Sequence, residues 1–381
     1  MRLTQFALLS ASLILPACSS DRSSVSPALP EYDLVLLHTL GGAEEGPNML
    51  SDIRGIVVDP QGRIVVLDYA TQQIEMFDST GAHLRTIGRK GAGPGEMARA
   101  NGLLRAPDGT LWVNDPSNKR FTLFDGEGNY LRSIPVDINS FGFIWEGWFE
   151  ADGALYEPIR IRQDTTLTEA LRRFREGGAK VDTLPSPCFG LLPPWKREDN
   201  FIFEYKEGMT MMPIPFASTP MRFFDRQGHA WCGVSSEYRL QRLSLFGNDT
   251  LELLGEHLPL PVTATDLDSV KARIRQAIKA FGGEDPDWSR IPAVKPAISR
   301  AIADDSGRIW VNPVTADSGQ VWEIFSNSGI RTATLHSPVV MTRWSPMVLR
   351  GDRVVGITKD SNDVLVIVSG KLQRTSEAAG D

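Results

Sequence analysis

The segment Gly91-Ala92-Gly93-Pro94-Gly95-Glu96-Met97 has the glycine density of a phosphate cradle. Such a cradle ends a strand in a glycine turn and opens a helix whose free N–H groups face the anion, with Lys-Ser/Thr following in nucleotide-binding proteins. Here the turn runs into "NGLLRA" (101–106), which is strand-like, and no Lys-Ser/Thr follows. Other catalytic signatures are equally thin. His38, His83, His229, His257 and His336 are scattered without metal-ligand spacing, and there is no Gly-x-Ser-x-Gly elbow. Asp68 and Asp115 each stand six residues after a glycine, Gly62 and Gly109, and that equivalence predicts a repeated turn role for both.

The glycines themselves carry the stronger signal. Gly62 and Gly81 are 19 residues apart, as are Gly109 and Gly128, Gly228 and Gly247, and Gly351 and Gly370. Gly307 and Gly329 are 22 apart and Gly153 and Gly178 are 25 apart, which allows small loop insertions. Between the glycines lie strand-length runs such as Arg63-Ile-Val-Val-Leu67 and Gln73-Ile-Glu-Met-Phe77, rich in β-branched and aromatic residues. Six copies of a four-stranded antiparallel meander result, and six such sheets set around an axis predict an all-β, six-bladed propeller. The glycine-rich segment then becomes the connection from the outer strand of one blade to the inner strand of the next. The sixth copy has strands near 346–350, 353–357 and 364–368 but no fourth, whereas Asp33-Leu-Val-Leu-Leu-His-Thr-Leu40 is a strand without a copy. Pairing the two closes the ring with no open sheet edge.

"VDPQGRIVVLD", "FDSTGAHLRTIG" and "GAGPGEM" are similar to the NHL-repeat and related six-bladed propellers, including lipobox-bearing bacterial ones. The resemblance spans roughly 33–373, is close in copies one and two, and implies fold and location more firmly than function. Propellers of this kind include binding proteins, sensors and a few enzymes. A calcium-dependent, lactonase-like hydrolase or lyase would need convergent Glu, Asn and Asp at the channel mouth. Glu146, Asn101, Asp68 and Asp115 offer candidates without forming a recognisable set, so no cofactor is expected outside that alternative.

Inner strands line a propeller's channel, and their entrances fall seven or eight residues before the first glycine of each copy. Read in order, those places give Arg54, Asn101, Trp145 with Glu146, Met221 beside Arg222, Arg300, and Arg343 with Trp344. Guanidinium groups there either bridge neighbouring blades or bind an anionic or sugar-like ligand, with the tryptophans as stacking surfaces. Two insertions fall on the same face. One, at 186–216, reads as an apolar hairpin or loop; the other, at 263–294, carries Leu267, Val270, Ile274 and Ile278 at helical spacing, with Thr265 or Asp266 to cap it and Gly282 to end it. A short helix between blades 4 and 5 is therefore expected.

The termini speak of location. Arg2 precedes the apolar run 6–15, too short to span a bilayer, and Leu15-Pro16-Ala17-Cys18 resembles a lipobox. This predicts a signal peptide over 1–17, lipidation of Cys18, a Ser/Pro-rich tether over 18–31, a propeller over 32–375 and a polar tail over 376–381. Ser19 after the cysteine points to the outer membrane. The formal net charge of −7 excludes a basic nucleic-acid footprint, and 41% hydrophobic residues exclude a disordered chain. Cys188 and Cys232 are left to form one disulfide in an oxidising compartment. The resulting expectation is a cell-envelope lipoprotein that binds a ligand or an envelope protein without catalysis, or serves as a structural scaffold.

Overall fold

The computed structural model describes residues 28–43, 45–136, 144–163, 166–193, 197–205, 208–279, 282–316, 320–343 and 345–375. The proposed signal peptide, Cys18, Trp344 and the tail 376–381 lie outside them. The described chain is a six-bladed propeller of antiparallel sheets. Blade 1 comprises Ile53–Val58, Ile64–Asp68, Gln73–Phe77 and His83–Ile87, paired in that order from the axis outward. Blade 2 comprises Gly102–Arg105, Leu111–Asp115, Arg120–Phe124 and Tyr130–Pro135. In blade 3 the strands are Trp148–Phe149, Leu155–Gln163, Thr166–Arg175 and Lys180–Pro185, and in blade 4 Pro220–Phe224, His229–Val234, Arg239–Ser244 and Thr250–Leu254. Blade 5 is built from Ile298–Ala303, Ile309–Pro313, Val321–Phe325 and Arg331–His336.

Blade 6 takes three strands from the chain's end, Met347–Arg350, Arg353–Lys359 and Leu365–Arg374, and its outer strand from the beginning, Glu31–Leu40. Leu34 faces Leu372 and Leu40 faces Ile367 in that antiparallel pairing, as the unmatched N-terminal strand predicts. The same strand begins parallel to the outer strand of blade 5, with Glu31 opposite Thr334, so the last two blades form one continuous sheet.

Each blade is sandwiched between two others, which explains why Ile64-Val-Val-Leu-Asp68 lacks the polar alternation of a half-exposed strand: all five residues are buried. An apolar cluster fills every interface. Ile87, Met97 and Leu103 join blades 1 and 2, Trp112 and Phe149 join 2 and 3, and Tyr156 and Leu245 join 3 and 4. Leu240 and Ile298 join 4 and 5, Trp322 and Val354 join 5 and 6, and Phe77 and Val355 close the ring between 6 and 1. Main-chain acceptors reinforce the closure, since Arg350 donates to the Val58 carbonyl at 2.9 Å and Arg353 to that of Gly62 at 3.1 Å.

The turn between the first two strands repeats one device. Asp59 accepts the N–H groups of Gln61 and Arg63 at 2.9 Å each, and Asp304 accepts those of Ser306 and Arg308 at the same distance. The side chain thereby mimics a backbone turn and leaves Gly62 and Gly307 in the left-handed conformation that their lack of a Cβ permits. Gly370 does not belong to this series of turns. It lies inside the strand Leu365–Arg374, opposite Leu36 and Val354, because the outer strand of blade 6 comes from the other end of the chain and needs no turn here.

Both insertions join in one cap. The first contains the hairpin Asn200–Tyr205 and Gly208–Pro213, the second the helix Ala264–Lys279. Phe201, Phe203 and Ile214 from the first pack against Ile274 and Ile278 from the second. The helix is capped two residues earlier than Thr265 would place it. Thr263 accepts the Asp266 N–H at 3.2 Å through its hydroxyl, and the Asp266 carboxylate accepts the Thr263 N–H at 2.9 Å, a reciprocal capping box. At the other end Gly282 adopts φ +70° and donates to the Lys279 carbonyl. Among the described residues no helix is long and apolar enough to cross a membrane.

Candidate functional site

The expected mouth residues separate into three groups. Asn101 and Trp145 are interior: Asn101 is 2% exposed and accepts from Asn114 at 2.8 Å, and Trp145 is 8% exposed and donates its indole N–H to Glu157 at 2.7 Å. The stacking surface expected of Trp145 is instead packed on Phe121, with a ring separation of 5.3 Å, and against Gly102, where a side chain would collide with it. Arg54, in the first strand of blade 1, forms a fork with Asp52 just ahead of that strand, at 2.6 and 2.9 Å, and lies over the Tyr69 ring. The Asp52 carboxylate holds the Arg54 guanidinium above its ordinary value.

Arg222, Arg300 and Arg343 form the third group, and each reaches another blade. Arg222 of blade 4 pairs with Glu169 and with Glu146 of blade 3. Arg300 of blade 5 donates to the carbonyls of Thr342 and Ser345, both at 2.9 Å, on the connection entering blade 6. Arg343, on that same connection, donates to the Thr219 hydroxyl at 3.1 Å at the start of blade 4. Ser235, fully buried, ties the network down by accepting the Thr219 N–H at 2.9 Å through its hydroxyl and the Ile298 N–H at 3.0 Å through its carbonyl.

Electrostatics distinguishes these arginines. Arg222 faces two carboxylates. Arg300 forms no ion pair with any described residue, and burial pushes its guanidinium down from its ordinary value to about 10. Burial likewise lowers Arg343. Both remain charged at neutral pH, so the mouth between blades 4, 5 and 6 holds positive charge in a poorly hydrated place. A carboxylate or phosphate is the chemical complement of such a place.

Asp68 and Asp115 take the turn role that their spacing predicts. Asp68 accepts the Asp52 and Ala70 N–H groups at 3.1 Å, and Asp115 accepts those of Ala98 and Arg99, also at 3.1 Å, each fastening the connection that leads into an inner strand. Among the described residues no three His, Cys, Asp or Glu side chains gather as a metal site. Cys188 and Cys232 form a disulfide with Cα atoms 5.7 Å apart, which pins the start of the first insertion to blade 4. Glu75, buried in a strand centre, was not singled out by spacing. The parallel between "QIEMF" (73–77) and "VWEIF" (321–325) would have found it.

Residues 48–144 match the model of the DUF5128 family, described as a 6-bladed beta-propeller. The match covers blades 1 and 2. No curated protein matches the chain in sequence. A DUF4221-family protein from Bacteroides vulgatus is 11% identical with a TM-score of 0.51, over 91% of this chain and 100% of that one. A catalytically inactive virginiamycin B lyase from Staphylococcus aureus, solved with quinupristin, is 11% identical over 88% of this chain and 99% of that one, with a TM-score of 0.41. A gluconolactonase from Xanthomonas campestris is 10% identical over 92% and 93%, with a TM-score of 0.40. At such identities the likeness is one of fold.

Proposed function

We propose that this protein is an exported, lipid-anchored propeller that binds a small anionic ligand, such as a carboxylate or a sugar acid, at the mouth between blades 4, 5 and 6, without converting it. The observation that carries the reading is Arg300, a guanidinium lowered by burial and held by main-chain carbonyls in place of a carboxylate. A buried charge without a counter-charge costs stability, and an arriving anion recovers it. Arg343 and Arg222 stand beside it to complete the recognition, with Glu146 limiting access to ligands that can displace its bond to Arg222. The cap, placed between blades 3 and 5 along the chain, supplies the wall.

The disulfide supports export, since such bonds persist in oxidising compartments. Mass spectrometry of the mature N-terminus tests the anchor: a diacylglyceryl adduct on Cys18 is expected, and an unmodified N-terminus elsewhere refutes it. For the ligand, thermal unfolding is followed with phosphate, citrate, glucuronate and neutral glucose. Saturable stabilisation by at least one anion and not by glucose is expected, and a response to none of them refutes the reading.

A further inference from the structure

A second place in the molecule is built to receive the opposite charge. A cavity of about 290 Å³ lies at the seam between blades 6 and 1, lined by Asp68, Thr71, Glu75 and Thr86 together with Met49 and Leu50. Glu75 is 5% exposed and Asp68 1%. No Lys or Arg among the described residues pairs with either. Glu75 receives two hydrogen bonds, from His83 Nε2 at 2.8 Å and from the Thr86 hydroxyl at 2.7 Å, and both end on Oε2. Its Oε1 accepts from no described residue.

The propeller contains its own comparison. Glu323 occupies in blade 5 the place of Glu75 in blade 1: each is the middle residue of its strand, and they face Thr334 and Thr86 respectively. Arg331 corresponds to His83, since each faces the phenylalanine that ends the strand, Phe325 or Phe77. In blade 5 the buried carboxylate is complete. Arg331 pairs with Oε1 of Glu323 at 2.9 Å, and Tyr238, reaching in from blade 4, donates its phenol proton to Oε2. In blade 1 the arginine is replaced by His83, and among the described residues no phenol from the neighbouring blade bonds to Glu75. The cavity stands there instead.

We propose that this seam cavity binds a protonated primary amine on a short alkyl stem. The ammonium donates to the open Oε1 of Glu75 and supplies the charge that Arg331 supplies in blade 5. Asp68 adds a second negative charge, and Met49 and Leu50 cover the methylenes. The neighbouring hydroxyls already point their protons at the carboxylates, so the cavity offers acceptors to a cation.

Calorimetric titration of the mature protein with n-butylammonium tests this, with n-butanol and calcium chloride as comparators. Saturable binding of the amine is expected, weaker by at least about tenfold in Glu75→Gln, as loss of a charge-assisted bond implies. His83→Arg, which installs the blade 5 arrangement, is expected to abolish amine binding while keeping the fold and melting temperature. The proposal is overturned if butylammonium does not bind, if n-butanol binds as tightly, if calcium displaces the amine, or if a folded His83→Arg binds it at wild-type strength. The Arg300→Met variant is expected to bind the amine normally, which separates this site from the anion site.

Discussion

Gly81 lies beneath His38: a methyl group built on its α-carbon would stand 2.9 Å from the His38 ring, and its φ is +90°. The same relationship joins Gly128 to Ile87, at 2.3 Å, one blade further on. In both, the turn before an outer strand tucks under the outer strand of the preceding blade. The N-terminal strand therefore packs on blade 1 as blade 1 packs on blade 2, and the closure of the ring repeats an ordinary blade contact.

Gly128→Ala is expected to destabilise the protein by about 1–3 kcal/mol, through a strained left-handed backbone and the collision with Ile87. Gly153→Ala serves as the control, because its φ is also positive, +83°, while nothing lies within 4 Å of the added methyl group. Urea unfolding should show a larger fall in midpoint for Gly128→Ala, and equal falls would place the whole cost in the backbone.

Leu34→Ala tests the seam from the other side. Leu34 is 3% exposed and belongs to the cluster between blades 5 and 6, so truncation should cost about 2–5 kcal/mol. Leu36, two residues along and 38% exposed, should tolerate the same change within about 0.5 kcal/mol. Comparable losses at both positions would mean that Leu36, which alternation puts on the same face, is buried as deeply as Leu34.

The cap should loosen in acid before the propeller does. The Lys295 ammonium, followed by the Thr263 N–H and hydroxyl, pulls the Asp266 carboxyl from 3.8 down to about 2. A carboxylate with a depressed folded value stabilises above its unfolded value and loses that contribution as pH falls, here between about 4 and 2. Trp288, part-buried in the cap core, reports the change by fluorescence. Asp266→Asn should show a weaker cap at neutral pH, by about 1 kcal/mol for the damaged capping box, and a smaller change on acidification, the remainder coming from Asp285, which Arg275 and the Trp288 indole also hold down to about 2.

The repeat, the closing strand and the helix were legible because each depends on local spacing: glycine turns, β-branched runs and a helical period. What was not legible depends on neighbours in space. Gly351 and Gly370 share the common spacing, but the partner of Gly370 is a strand more than 300 residues away in the chain, so the coincidence misled. Trp145 stands at an entrance by count, yet Glu157 in the next strand of its own blade draws the indole inward. The arginines were found as types and places. Their division, with Arg54 satisfied by Asp52 and Arg300 left on carbonyls, is set by three-dimensional partners that spacing does not encode.

Arg300→Met separates a structural arginine from a binding one. If Arg300 served only to bridge blades 5 and 6, its removal would cost stability in every solution. As a buried charge without a carboxylate, however, it carries an uncompensated desolvation cost, whose removal offsets the loss of its bonds to the Thr342 and Ser345 carbonyls. The ligand-free variant is therefore expected to melt close to the wild-type temperature and to lack the anion-dependent rise expected of the wild type. Arg300→Lys should keep a charge but lose the fork that serves two carbonyls and a carboxylate together, retaining only part of the response. Differential scanning calorimetry with and without a saturating anion distinguishes the cases. A variant that melts well below the wild type, by the same margin with and without anion, would assign Arg300 to blade bridging alone.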